Sequence, residues 1–162
     1  MINWQEDNRQ SSVPFQADVL IQGQEGWPIA MVEVKNRKGL TAEVATAIRR
    51  NLVAHGLMIQ QVPYFLVVSQ DAGFLWRQRK QQGPVDPPTV EFPMQPVVSY
   101  YVSWLAAGER LGGGALELIV ANWLADQSVG GGPDLPETTE RLSEIGFLEA
   151  IRGATVRINE RV

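Results

Sequence analysis

The fold is decided by residues 17–35, which read ADVLIQGQEGWPIAMVEVK. Two short apolar runs, residues 17–22 and 28–35, flank a segment that contains Gly23 and Gly26. Runs of this length joined by a glycine-containing loop are typical of a β-hairpin. We therefore predict two antiparallel strands over residues 17–22 and 28–35.

The second predicted strand carries charge on one face only. Side chains alternate between the two faces of a strand, so Glu33 and Lys35 share one face while Ala30, Val32 and Val34 share the other. The three aliphatic side chains are expected to face a core. The two charged groups are expected to face a site.

Asp18, in the first strand, is predicted to lie directly opposite Glu33. A turn centred between Glu25 and Gly26 gives this register, and directly opposite residues point to the same face of a sheet. Two carboxylates placed in this way repel each other unless a cation binds between them. Oxygen ligands of this kind suit Mg²⁺ or Mn²⁺. Lys35 would lie beside the group that the bound ion contacts.

The residues after the hairpin predict a helix and two more strands. Thr41 is suited to cap a helix that ends at Gly56. The continuous apolar run 64–69 predicts a strand that is buried on both faces of a sheet, and residues 74–77 predict a shorter strand. This order of elements indicates an α/β domain with a mixed central sheet flanked by helices.

The C-terminal half is predicted to be helical and to belong to the same domain, which spans residues 1–162. The expected elements are a proline-rich loop over 81–96, helices over 97–107, 115–127 and 136–152, and an edge strand over 155–158. Glycine triplets separate these helices. We therefore expect a helical cap or arm over about 97–153, attached to a core over about 14–77.

Composition excludes several classes of protein. The chain has 162 residues, is 44% hydrophobic and has a formal net charge of -4, which is typical of one globular domain and not of a disordered chain. It has no cysteine and one histidine, so thiolate zinc sites, disulfides and multi-histidine metal sites within one chain are excluded. No run of about 18 apolar residues predicts a membrane span. The polar N-terminal segment lacks the pattern of a secretory signal. A cytoplasmic protein without a membrane partner is expected.

The basic residues are concentrated in one part of the chain. Between Lys35 and Lys80 there are eight basic residues and two acidic ones, although acidic residues are in excess over the whole chain. Such a stretch can bind a polyanion locally, and it can equally be a solvated face.

The Asp18 … Glu33-Val34-Lys35 pattern, on consecutive strands of a hairpin, resembles the PD-(D/E)XK nuclease superfamily, which has the restriction-endonuclease-like fold. The resemblance extends through the predicted helix and the strand over 64–69, and covers about 14–77. There are two departures. Ala17 stands where the family usually has proline, and few residues precede it to form the family's first helix.

The resemblance implies a role for each matching residue. Asp18 and Glu33 would bind Mg²⁺ or Mn²⁺, the backbone carbonyl of Val34 would complete the site, and Glu6 is the best placed acid for a further ligand. Lys35 would orient the attacking water and stabilise charge on the phosphate during hydrolysis of a phosphodiester bond.

The resemblance also implies partners. Nucleic acid, with DNA as the expected form, would be bound by basic residues of the stretch, namely Arg37, Lys38, Arg49, Arg50 and Arg77. A homodimer or a larger assembly is expected as well, because cutting two strands with one site per chain usually requires two copies.

Two other functions stay open. A catalytically silent module could keep the same fold and bind nucleic acid or protein in a larger assembly. A carboxylate-metal hydrolase on another fold would need additional ligands.

Overall fold

Six strands form one mixed sheet. The computed structural model describes residues 17–56, 62–79, 83–106, 108–112 and 114–158. The strands are β1 (Val19–Gln22), β2 (Pro28–Val34), β3 (Tyr64–Val68), β4 (Ala72–Arg77), β5 (Val90–Pro93) and β6 (Thr155–Ile158). Their order in the sheet is β5-β4-β3-β2-β1-β6, with only β2 and β3 running parallel.

The β1–β2 hairpin has the predicted register over Val19–Ile21, and the register shifts by one residue at Gln22, which pairs with Pro28 in place of Ile29. Val19 lies opposite Val32 and Leu20 lies opposite Met31, so the next pair along the same register is Asp18 and Glu33. The turn needs a glycine at position 26, where φ is 87°, a value that other residues rarely adopt. The hairpin prediction is therefore confirmed.

Five helices accompany the sheet in the described part of the chain. They are α1 (Ala42–Ala54), α2 (Gln95–Tyr101), α3 (Ala115–Ser128), α4 (Thr138–Glu144) and α5 (Phe147–Ala150). The first of them begins as predicted, because the Thr41 hydroxyl accepts a hydrogen bond from the Val44 amide over 3.2 Å. It connects β2 to the parallel strand β3, whose five residues are all buried.

The sheet separates two apolar cores. On one face, Met31, Phe65 and Trp76 pack with α1. On the other face, Val32 and Leu66 pack with the four C-terminal helices, whose buried core residues include Val97, Val120, Leu142 and Phe147. The molecule therefore has three layers, with the sheet in the middle. The helices expected to form a cap or arm make up one of these layers.

Three predictions for the C-terminal half were wrong in detail. The predicted loop over 81–96 contains β5, which pairs with β4. The helix predicted over 97–107 ends at Tyr101. The helix predicted over 136–152 is divided into α4 and α5, because Gly146 between them has a φ of 81° and interrupts the helical backbone.

The predicted edge strand over 155–158 is confirmed. It is β6, which pairs antiparallel with β1, and it brings the C-terminal part of the chain next to the hairpin. Within the described residues, no helix is both long enough and apolar enough to cross a membrane.

Candidate active site

Asp18 and Glu33 lie at one end of the hairpin and are both buried, with 4% and 7% of their surface exposed. Asp18 comes directly before β1, and Glu33 is the penultimate residue of β2. Because Glu33 is two residues from Met31, it lies on the α1 face of the sheet, and Asp18 shares that face through the register. The register thus places the two carboxylates that the sequence singled out on the same face and at the same end of the hairpin.

The Asp18 carboxylate is held by the backbone of the neighbouring strand. Its Oδ2 accepts a hydrogen bond from the Val34 amide over 2.7 Å. The next amide, that of Lys35, donates in the opposite direction, to the Val68 carbonyl on β3 over 2.8 Å. A residue in a strand directs its N–H and C=O to the same side, so the Val34 carbonyl is directed to the side of Asp18. The predicted backbone ligand therefore lies on the side of the candidate site.

Lys35 completes the group of charged residues. Its Nζ lies 3.0 Å from Glu33 Oε2, and its side chain is about a third exposed, whereas the Glu33 side chain is buried. The ammonium therefore connects the buried carboxylate with solvent. A lysine ammonium has three donors and can contact a second anion while it keeps this ion pair.

The oxygen atoms at this site have the chemistry that a small divalent cation requires. Mg²⁺ is usually held by one or two carboxylates together with several waters, and Asp18 and Glu33 supply that number. In the described ranges, no cluster of three or more His, Cys, Asp or Glu side chains is placed to hold a metal ion. Glu6, the additional acid expected from the resemblance, lies outside the described residues.

Two of the basic residues expected to bind nucleic acid lie at the same end of the sheet. Arg37 and Lys38 lie three and four residues after the end of β2 and are exposed. The Arg37 amide donates to the Lys35 carbonyl over 2.9 Å, which turns the chain immediately after the candidate site. Both side chains are therefore accessible beside Lys35.

Arg49 is in a different environment. It is buried in α1, where its guanidinium donates to Gln78 Oε1 and to the Gly83 carbonyl and lies 5.5 Å from the centre of the Trp76 ring. Burial lowers the pKa of Arg49, and Asp86 acts in the opposite direction. In this structure Arg49 is part of the interior and presents no charge to a ligand.

Arg50 and Arg77 are exposed but lie away from the carboxylates. Arg50 is eight residues beyond the start of α1, or about 12 Å along the helix axis. Arg77 pairs with Tyr64 at the start of β3, whereas Glu33 pairs with Val67 near its end, and the separation along the strand is about 10 Å. Arg77 also lies on the opposite face, where it donates to the Ile145 carbonyl over 3.3 Å.

Two polar residues beside the site were not singled out from the sequence. Asn36 donates to the Leu111 carbonyl over 2.9 Å. The buried Gln70 donates to the Glu109 carbonyl over 2.7 Å and accepts from the Leu111 amide over 3.0 Å. These bonds attach residues 109–111 to the ends of β2 and β3. No local signal predicts them, because about 40 to 75 residues separate the partners.

The comparisons with known proteins found no match: no family model, no curated protein and no solved structure corresponds to this chain.

Proposed function

We propose that the chain is a metal-dependent nuclease that hydrolyses phosphodiester bonds in DNA and has a restriction-endonuclease-like core. The observation that supports this most directly is the placement of two buried carboxylates at the same end of two adjacent strands, with the Lys35 ammonium 3.0 Å from one of them. The sequence of β1, antiparallel β2, α1 and parallel β3 also agrees with the resemblance. We expect the enzyme to act in the cytoplasm.

The proposed cation is Mg²⁺ or Mn²⁺, held by Asp18, Glu33 and the Val34 carbonyl. A bound divalent cation supplies Lewis-acid stabilisation of negative charge on the phosphate. The Val34 amide fixes the Asp18 carboxylate, so little reorganisation is needed when the cation binds.

Lys35 has the second role in the proposal. Its ammonium would orient the attacking water and donate a hydrogen bond to the phosphate oxygen on which negative charge increases. The water oxygen forms a bond to phosphorus as the bond from phosphorus to the leaving oxygen breaks. The water gives up one proton and the leaving oxygen gains one, so the products are a phosphate monoester and a hydroxyl end. Glu33 positions Lys35 for this step through the ion pair.

Arg37 and Lys38 are the proposed contacts to the DNA backbone, because they are exposed next to Lys35. Arg50 can contact only phosphates of the DNA strand that lie farther from the candidate site. The net charge of -4 gives no long-range attraction for DNA, so binding would depend on these local contacts.

A catalytically silent binding module is the second candidate. It is favoured by one observation, the Glu33–Lys35 ion pair, which balances one of the two carboxylates without any cation. In such a module the pair would serve the structure alone, and removal of Lys35 would alter stability but no reaction.

The test is cleavage of supercoiled plasmid and single-stranded DNA in Mg²⁺, Mn²⁺ or EDTA. We expect cleavage that requires the cation and that falls by about 100-fold or more in Lys35→Ala, because one donor to the developing charge is lost. Arg79→Ala is the control, since it removes an exposed basic residue just beyond β4, at the end of the sheet away from the carboxylates.

The control should retain cleavage within a few-fold. Activity that is unchanged by Lys35→Ala would contradict the proposed mechanism. An absence of cation-dependent cleavage in the folded wild-type protein would favour the silent module.

A further inference from the structure

A small groove lies between the segment that follows α2 and the start of α3. Its volume is about 390 Å³, and its apolar lining includes Trp104, Leu111 and Leu118. We refer to this space as the Trp104 groove. Ligand sites usually have volumes of about 300–1,000 Å³ and combine apolar walls with a few polar groups. The Trp104 groove is at the small end of that range, so it suits a single small group.

The indole of Trp104 is the largest exposed group in the lining. Trp104 is 75% exposed, and Leu118, on α3, is 56% exposed. These two side chains do not supply the area of about 1,000 Å² that a specific contact with another protein needs. An exposed indole is instead a platform for a flat ring, and nucleobases of every sequence stack on aromatic side chains.

Two charged residues form the polar part of the groove. Glu109 and Arg110 have opposite charges, so the groove offers a hydrogen-bond acceptor and several donors but no net charge of its own. This combination does not select an anion such as free phosphate or a lipid headgroup. It suits a neutral ring whose edge carries both donors and acceptors, as the edge of a nucleobase does.

Arg110 has hydrogen-bonding capacity that the protein does not use. Its Nη1 lies 3.2 Å from Asp71 Oδ2, whereas Nη2 is covered and has no acceptor among the residues that the structure describes. A covered donor without an acceptor is unfavourable. Because about a third of the Arg110 side chain is exposed, a small rotation can bring Nη2 to an acceptor on a base and remove that cost.

The groove lies at the same end of the sheet as the candidate site. The Leu111 carbonyl accepts from Asn36, the residue after Lys35, over 2.9 Å, and the Leu111 amide donates to Gln70 over 3.0 Å. The two carboxylates face α1, whereas Leu111 belongs to the core on the other face of the sheet. A nucleic acid that reaches both places must therefore pass over the ends of β2 and β3.

This path suits a single strand and not a duplex. Double-stranded DNA is stiff over about 150 base pairs, so it does not fold around the end of one sheet. The bases of a duplex are also paired and stacked, and one of them must be extruded before it can stack on a protein side chain. A single strand is flexible, and its bases are already accessible.

We propose that the Trp104 groove binds one unpaired nucleobase, stacked on the indole, of the strand that the candidate site cuts. The substrate of the proposed nuclease is then DNA with a single-stranded segment beside the scissile bond. This assignment of a substrate rests on the proposed function, whereas the binding of a base does not.

Binding of a fluorescently labelled oligonucleotide tests the proposal. The full chain is titrated in EDTA, which prevents cation-dependent cleavage, with a single strand of about 12 nucleotides or with the duplex of the same sequence, and anisotropy is recorded. We expect the single strand to bind more tightly by about 10-fold or more, because its bases need no extrusion. Trp104→Ala should weaken that binding by about 5- to 150-fold, the loss expected for one stacked base.

Trp27→Ala is the matched control, because Trp27 is 73% exposed but lies in the β1–β2 turn, at the opposite end of the hairpin from Asp18 and Glu33. It should bind as the wild type. Trp104→Phe keeps an aromatic ring and should bind the single strand within a few-fold of the wild type. Circular dichroism establishes that each variant is folded. If Trp104→Ala does not fold, Leu118→Glu replaces it, because a negative charge at the groove repels the strand.

Equal affinity of the wild type for the single strand and the duplex would overturn the proposal. So would binding that is unchanged in Trp104→Ala and Leu118→Glu, or that falls as much in Trp27→Ala. A protein occupant would give another result. If the wild type self-associates in sedimentation, Trp104→Ala does not, and the oligonucleotide leaves the association unchanged, the groove binds protein and the proposal is rejected.

Cleavage is measured separately, so this proposal and the proposed nuclease can fail independently. Binding that depends on Trp104, without cation-dependent cleavage, would reject the nuclease and support the groove as a site for a base. Cleavage by a protein whose binding does not depend on Trp104 would support the nuclease and reject the role of the groove.

Discussion

At the scale of single residues, Arg49 and Arg50 are neighbours in sequence with opposite environments. The Arg49 side chain is enclosed by Gln78, Gly83 and Trp76, and Arg50 is exposed to solvent. A buried guanidinium is tolerated only when its N–H groups are hydrogen-bonded, so the partners of Arg49 are part of the stability of the fold.

We predict that Arg49→Ala lowers the free energy of unfolding by about 2–3 kcal/mol, because hydrogen bonds to a charged donor are lost and the acceptors on Gln78 and Gly83 remain. Arg50→Ala should change it by less than about 0.5 kcal/mol. Urea denaturation of the two variants measures the difference. Equal effects at the two positions would contradict the burial of Arg49.

At the scale of elements, the β4–β5 pair depends on a close approach between Gly73 and Phe92. The two residues are direct partners in the ladder, and the Phe92 ring occupies the space where a side chain on Gly73 would begin. Thr138 and Arg141 of α4 donate to the Pro93 and Glu91 carbonyls, so the outer strand is held from both sides.

We predict that Gly73→Ala lowers the free energy of unfolding by about 1–3 kcal/mol, because the added methyl group displaces the buried Phe92 ring. Gly112→Ala is the control, since no atom lies within 4 Å of a Cβ built at that position. Thermal denaturation of both variants is the measurement. The prediction fails if the control is destabilised as much as Gly73→Ala.

A second link between elements joins α2 to α3. The Tyr101 hydroxyl donates to Asp126 Oδ2 over 2.6 Å. Burial, followed by the hydrogen bond to Asp126, raises the pKa of Tyr101 above its usual value of 10.0.

This shift predicts a pH dependence. Above the unfolded pKa of about 10, the unfolded chain loses the Tyr101 proton while the folded chain keeps it, so stability decreases as pH rises. The contribution of Tyr101 is fully present below that pH. Chemical denaturation between about pH 8 and 11 should show a steeper decline for the wild type than for Tyr101→Phe. Parallel declines in the two proteins would exclude this role of Tyr101.

At the scale of the whole molecule, a cation at Asp18 and Glu33 would couple binding to folding. The site joins the start of β1 to the end of β2, and it exists only when the hairpin is formed. A ligand that binds only the folded state raises stability in proportion to the logarithm of its concentration.

We predict that Mn²⁺ raises the melting temperature of the wild type and adds about 2.7 kcal/mol at a concentration 100 times its Kd. Asp18→Asn should remove this gain while the protein stays folded, because the amide oxygen can still accept from the Val34 amide. Differential scanning fluorimetry with and without Mn²⁺ measures the change in melting temperature. Asp71→Asn is the control, because it alters an exposed aspartate. A gain that persists in Asp18→Asn would exclude the proposed cation site.

The amino-acid sequence by itself determined the hairpin, its register, α1 and the buried strand β3. Each of these depends on information within a few residues, such as the glycine turn, the alternation of side chains and the Thr41 cap. The sequence also singled out Asp18, Glu33 and Lys35, because a register fixed by a short turn places specific side chains opposite each other.

Only the tertiary structure decided the environments of Arg49 and Arg77, the attachment of Leu111 to Asn36 and Gln70, and the pairing of β6 with β1. These contacts join residues that are far apart in the chain. The way the layers pack on the sheet decides which distant residues come into contact. That packing depends on many weak contacts between side chains, which no local sequence pattern encodes.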